Sequence, residues 1–145
     1  MTIALAFIFG IILGAGNWAI VPLVSDRIEP FDSEPAFYIG QCVLCLSALA
    51  LAWRSGFLSC LTLLFGAWAG LNLYPLLLGT PEHRAWFLLG MFTSVLLLIY
   101  PLVCGIMGWL VRRLLTRYKL HYLQTRAAGV QSTKAPGERQ THRLG

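Results

Sequence analysis

Cys42 and Cys45 are separated by two residues, and this spacing makes them the candidate pair for redox chemistry in the sequence. Two thiols so placed can form a disulfide with each other or exchange one with another protein. Both lie in an uncharged segment, however, and apolar surroundings disfavour the reactive thiolate. Because cysteine is often buried, we predict a packing role for the pair. Cys60 and Cys104 are expected in the inner half of the membrane and cannot reach Cys42 or Cys45 in the outer half, so no disulfide framework is predicted.

Other kinds of intramembrane chemistry lack the residues that they need. His83, His121 and His142 all lie outside the apolar segments, which excludes haem ligation by paired histidines within a bilayer. No charged residue lies in the interior of an apolar segment, although proton-coupled transport normally requires one. The sequence also has no phosphate-binding loop, paired carboxylates or nucleophile–base pair. We therefore predict no catalytic residue, no metal and no cofactor.

Four apolar segments make up most of the chain. With 57% hydrophobic and 12% charged residues, the composition is typical of a membrane protein. The segments predict helices at about residues 3–24, 37–53, 57–78 and 86–111, lengths that suit the roughly 30 Å apolar core of a bilayer. The predicted fold is all-α and polytopic, a bundle of four transmembrane helices over residues 1–111. The first helix has no basic region before it and is interpreted as a span rather than a signal peptide.

The charges predict how these helices are oriented. Five of the six acidic residues fall in the two connectors at 25–36 and 79–85, whereas nine of the eleven Lys and Arg residues are Arg54 or follow residue 111. Because Lys and Arg concentrate in cytoplasmic segments, this bias predicts a multi-pass protein of a bacterial-type inner membrane with both termini in the cytoplasm. The same bias accounts for the net charge of +5, so we predict no nucleic-acid partner.

After residue 111 the helical period continues but the composition becomes basic. We expect a cytoplasmic tail at 112–145, helical to about residue 128 and disordered from Gly129. Cations in the helical part would lie among anionic lipid headgroups, each contributing about 1 kcal/mol of attraction. The predicted membrane-surface residues are Arg112, Arg113, Arg117 and Lys119.

Small and polar residues recur at helical spacing in every apolar segment. Helices in lipid associate through close backbone approach and hydrogen bonds, so these residues mark predicted contact faces. The glycines expected to pack helices together are Gly10, Gly14, Gly66, Gly70, Gly105 and Gly108. The polar side chains expected within the membrane are Asn17, Gln41, Asn72 and Ser94.

Asn72 does not continue the face formed by Gly66 and Gly70, because two residues past Gly70 is about 200° around a helix. An amide facing hydrocarbon would leave its hydrogen-bonding groups unpaired. Either the third helix contacts neighbours on two sides, or Asn72 pairs with another chain. We predict the second, in which Phe65, Trp68 and Asn72 form a surface for another membrane protein or a second copy of this chain.

Together with four spans and cytoplasmic termini, the segment Cys42-Val43-Leu44-Cys45 resembles the quinone-linked thiol oxidase family typified by DsbB. That family carries C-V-L-C near the outer end of its second helix. The resemblance covers these four residues and the topology, and it implies a membrane thiol–disulfide oxidoreductase. The chain departs from the family at residues 79–85, which contain no cysteine for a second redox pair, and no arginine follows the motif before Arg54.

These features predict a non-catalytic protein of the inner membrane. It would be an accessory subunit of an envelope assembly, or a protective protein that engages another membrane protein. Two alternatives remain open: a DsbB-like oxidoreductase that uses Cys42 and Cys45, and a small carrier of an uncharged substrate. The bilayer, with its anionic headgroups, is a predicted partner in every case.

Overall fold

The computed structural model describes residues 2–26, 32–78 and 87–134. These residues form helices and contain no strand, so the all-α prediction is confirmed for the described part of the chain. The helices are α1 (Ile3–Ala19), α2 (Val21–Val24), α3 (Glu34–Ser55), α4 (Phe57–Leu78), α5 (Phe87–Leu97) and α6 (Ile99–Lys134).

Three helical segments are long and apolar enough to cross a membrane. They are Glu34–Ser55, Phe57–Leu78 and Leu88–Lys119, with mean hydropathy values of 1.8, 1.6 and 2.2. The first helix, Ile3–Ala19, is also apolar, but its 17 residues extend only about 26 Å, less than the roughly 30 Å of a bilayer core. The structure therefore supports a membrane protein with three candidate spans among its described residues and a fourth, shorter apolar helix.

Two of the predicted helices are interrupted, and a proline follows each interruption. The predicted helix at 3–24 is divided at Ile20, two residues before Pro22. The predicted helix at 86–111 is divided at Leu98, three residues before Pro101. Proline has no N–H and its ring clashes with the carbonyl group four residues earlier, so each proline lies in the first turn of a new helix.

The turn between α3 and α4 is set by a glycine. Gly56 has a φ of 99° and ends α3, with its N–H bonded to the carbonyl of Ala52. Only glycine adopts this backbone conformation without strain, which lets α4 begin at the next residue. At its other end, α3 begins at Glu34 with Pro35 in its first turn, three residues earlier than the sequence predicts.

The most extensive helix contact is between α1 and α4. Gly10 and Gly14 of α1 lie against Gly66 and Gly70 of α4, and a Cβ atom on any of the four would overlap a carbonyl oxygen of the facing helix. A Cβ atom on Gly10 would also lie 3.0 Å from the Cα of Gly66. The two backbones are thus in direct contact, an arrangement that only residues without a side chain permit.

A second contact region joins α3, α4 and the first turns of α6. Its fully or nearly buried residues are Ala48, Ala52, Cys60, Leu63 and Leu64. Gly105 of α6 lies against the thiol of Cys60, and a Cβ atom on Gly108 would be 2.9 Å from the carbonyl oxygen of Leu49. Small residues therefore line both sides of this contact, as they do between α1 and α4.

The chain divides into two compact units, Met1–Leu110 and Val111–Gly145. In the second unit, residues 111–119 are exposed, among them the four predicted membrane-surface cations: Arg112, Arg113, Arg117 and Lys119. The helix continues to Lys134, six residues beyond the predicted helical end at about residue 128. Gly129 costs a helix only about 1 kcal/mol, and the first proline of the tail is Pro136. Residues 135–145 lie outside the described residues.

We expect Gly14→Ala to destabilise the bundle and Gly16→Ala to leave it unchanged or slightly more stable. The new methyl group at position 14 would overlap the carbonyl oxygen of Ala67, whereas a Cβ atom at position 16 meets nothing within 4 Å. Overpacking typically costs ~1–3 kcal/mol, while alanine gains up to about 1 kcal/mol over glycine within a helix. Thermal unfolding in detergent compares the two variants. Equal midpoints would mean that α1 and α4 do not touch at Gly14.

Candidate functional site

The carbonyl group of Leu71 receives its hydrogen bond from a different helix. Pro75 lies inside α4 and has no N–H to donate to the carbonyl four residues earlier, which is that of Leu71. Trp18 of α1 supplies the missing donor, because its Nε1 donates to the Leu71 oxygen at 3.0 Å. The indole ring also stacks on Tyr74, with ring centroids 6.0 Å apart. Through Trp18, α1 thus completes the hydrogen bonding of α4 at its proline.

Trp18 is not among the residues predicted from the sequence, although the sequence contains a signal for it. A proline in the middle of an apolar helix leaves one carbonyl group without a donor, and an unpaired carbonyl in apolar surroundings costs several kcal/mol. A buried tryptophan likewise needs an acceptor for its N–H. Pro75 thus predicts an acceptor at the Leu71 carbonyl, and Trp18 offers a donor. Only the fold shows that this donor and this acceptor meet.

Asn72 is an interior residue, and its predicted place on a partner surface is wrong. Its side chain is only 8% exposed. The Nδ2 donates to the hydroxyl of Ser94 on α5 at 2.9 Å and to the carbonyl of Trp68 at 2.7 Å. The physical reason is the central position of α4, which contacts α1, α3 and α5. Such a helix has more than one inward face, so a polar residue opposite the glycines finds a partner within its own chain.

Asn17 packs against α3 at Gly40, the residue before Gln41. The amide of Asn17 covers Gly40, whose missing side chain makes room for it, and its Nδ2 donates to the carbonyl of Leu13 at 3.4 Å. Gln41 follows Gly40 in the chain, and its Oε1 is buried without a hydrogen-bond partner in the described part of the chain. Of these two predicted polar residues, the structure thus places Asn17 at the contact of α1 with α3, packed on Gly40.

The four cysteines are free. Cys45 lies near Cys104 of α6, and Gly105, the residue after Cys104, lies against the thiol of Cys60. The expectation that Cys104 cannot reach Cys45 is wrong, because α3 begins at Glu34 and Cys45 is about 16 Å from that end, near the helix centre. Cys42 is exposed, so the two motif cysteines lie in different surroundings.

Three aromatic rings form a continuous stack across α1 and α4. Phe7 stacks on Phe65 with centroids 5.9 Å apart, and Phe65 stacks on Trp68 with centroids 5.8 Å apart. The Trp68 Nε1 donates to the carbonyl of Met91 at 3.5 Å, and Phe65 is 61% exposed. We call Phe7, Phe65 and Trp68 the aromatic ladder. It lies beside the glycine contact, so both helices hold it in place.

The chemistry of this arrangement is that of helix association. Among the described residues, no group of three side chains could hold a metal ion. The polar side chains inside the first unit bond mainly to backbone carbonyls and to one another, as Trp18, Asn72 and Ser94 do. Such bonds stabilise helix pairs by about 0.6–2 kcal/mol each.

Trp18→Phe should destabilise the protein more in the native background than in a Pro75→Ala background. Phenylalanine keeps most of the ring but loses the N–H, which leaves the Leu71 carbonyl without a donor next to Pro75. Alanine at position 75 restores a backbone N–H for that carbonyl. We expect the single Trp18→Phe change to cost ~1–3 kcal/mol and the cost to fall by at least half with Pro75→Ala.

The measurement is a double-mutant cycle from thermal or denaturant unfolding in detergent, with Trp109→Phe as the control tryptophan change in both backgrounds. Identical costs for Trp18→Phe in the two backgrounds would show that the indole N–H does not serve the Leu71 carbonyl.

Comparison of the chain with protein-family models, with curated proteins and with solved structures finds no match.

Proposed function

We propose that this protein is a non-catalytic, four-span membrane protein that binds another membrane-embedded chain through the aromatic ladder. It would act as an accessory subunit of an envelope assembly or as a protective protein for its partner. The observation that carries the proposal is the stacking of Phe7, Phe65 and Trp68 on the outer side of the α1–α4 pair, with Phe65 61% exposed.

The proposal is supported by the difference between the polar residues in the interior and the rings of the aromatic ladder. Asn72 and Ser94 are buried and hydrogen-bonded to each other, so neither side chain needs a partner from another chain. The ladder is held by ring contacts and by the glycine-mediated contact of α1 with α4. Large aromatic residues held rigid before binding lose little conformational entropy when a partner packs on them, which is why they often dominate binding surfaces.

The placing of the thiols favours this function over a redox enzyme. A thiol oxidase needs Cys42 and Cys45 to share one disulfide with each other. Cys45 is instead half-buried near Cys104 of α6, whereas Cys42 is exposed. This arrangement suits packing of α3 against α6 better than it suits exchange with a protein in solution.

The partner surface is tested by photocrosslinking in native membranes. A photoreactive phenylalanine analogue in place of Phe65 should give an adduct with a second chain, whose mass and peptides identify it as another protein or a further copy. The same analogue in place of Phe92 is the matched control, since Phe92 is 74% exposed on α5 and has no place in the ladder. Adducts of equal yield from both positions, or none from Phe65, would contradict the proposal.

The proposed topology places four spans in the inner membrane with both termini in the cytoplasm. It rests on the charge bias and treats α1 with α2 as one crossing, since residues 3–24 together extend about 33 Å. A reporter fused after Gly145 should be active only in the cytoplasm, and one inserted at Ser33 only outside. A three-span protein, in which α1 does not cross, would place an N-terminal reporter and Ser33 on the same side.

A further inference from the structure

A groove of about 370 Å³ runs along α3 beside α1, apart from the aromatic ladder. One wall is Phe9 of α1, and the other is a single face of α3. The residues that line it are Phe9, Leu46, Ser47, Ala50, Leu51 and Arg54. Its volume lies within the range of roughly 300–1,000 Å³ typical of small-molecule sites. From Leu46 to Arg54 it follows α3 for about 12 Å.

Arg54 gives this groove one charged end. It lies in the last turn of α3, next to the turn at Gly56, and is exposed. It is the one Lys or Arg among the described residues before Val111, and it forms no ion pair or hydrogen bond with another described residue. An arginine side chain in lipid extends its charged head toward the membrane surface while its stem lies along apolar surface. Its guanidinium group is thus available to an anion.

We propose that the groove binds one anionic glycerophospholipid, with an acyl chain along its apolar wall and the phosphate on Arg54. The guanidinium fork matches two oxygens of a phosphate group. Basic pockets between helices at the cytoplasmic side of a membrane bind anionic headgroups in this way. The proposed topology puts Arg54 on that side.

The walls fit a hydrocarbon chain better than a peptide. The groove is formed by two helices, α1 and α3, whose mid-helix backbone groups are bonded within each helix. A peptide lying there would find few donors or acceptors for its own backbone, which in apolar surroundings is costly. An acyl chain needs none, and the small side chains of Ser47 and Ala50 leave the space that it would occupy.

The experiment is native mass spectrometry of the full-length protein in detergent. It is titrated with phosphatidylglycerol or with phosphatidylcholine carrying the same acyl chains. We expect one phosphatidylglycerol to bind in preference to phosphatidylcholine. Arg54→Gln should weaken phosphatidylglycerol binding about fivefold or more, as expected for the loss of about 1 kcal/mol of attraction per cation, and should leave phosphatidylcholine binding unchanged. Arg84→Gln, which removes one of the two cations that the proposed topology places outside, is the matched control and should change neither.

A second variant tests the apolar wall separately from the charge. Ala50→Phe fills the groove and should weaken binding of both lipids, and circular dichroism confirms that the variant remains helical. If Ala50→Phe is not helical, Arg54→Gln decides alone, because an exposed side chain can be exchanged without disturbing the fold. Equal binding of the two lipids, no effect of Arg54→Gln, or a mass that shows a second protein chain in place of the lipid would each overturn the proposal.

Discussion

The architecture depends on the direct contact between the backbones of α1 and α4. In a bilayer the lipid is as apolar as the side chains, so burial of leucine or phenylalanine gives helices little reason to associate. Close packing and hydrogen bonds must supply the attraction. Gly10 and Gly14 against Gly66 and Gly70 bring the helix axes near enough for Trp18 to reach the Leu71 carbonyl and for Phe7 to stack on Phe65. A side chain at any of these glycines would weaken the ring stack and the hydrogen bond together.

The prolines of the described residues occupy two kinds of position, the first turn of a helix and the interior of a helix. Pro22, Pro35 and Pro101 each lie in the first turn of a helix, where a missing N–H costs nothing. Pro75 alone of the prolines in the described residues has a full helix before it, and it is the one whose lost hydrogen bond is replaced from outside, by Trp18. The proline and its tertiary partner therefore form one structural unit, although they are far apart in the sequence.

The features of this fold that one physical rule decides can be predicted from the sequence. The bounds of α4 follow from the charge-free segment between the Gly56 turn and the next connector, and the facing glycines follow from their spacing. The placement of a polar side chain cannot be predicted where it depends on which helix is central in the bundle. Asn72 was assigned outward because it opposes the glycines, yet α4 has neighbours on several sides. The proximity of Cys45 to Cys104 is likewise not predicted, because α3 begins three residues before the predicted start and Cys45 therefore lies near the helix centre.

The contact between Trp18 and Leu71 joins residues 53 positions apart, and this separation has a consequence for biosynthesis. At roughly 5–20 residues per second, the ribosome completes α4 about 3–12 s after α1. Throughout that interval the glycine face of α1 has no helix to pack on, and the indole N–H has no Leu71 carbonyl to bind. The first helix made is thus the one that waits longest for its principal partner, so the earliest membrane intermediate of this protein is a helix stabilised by lipid or by the insertion machinery alone.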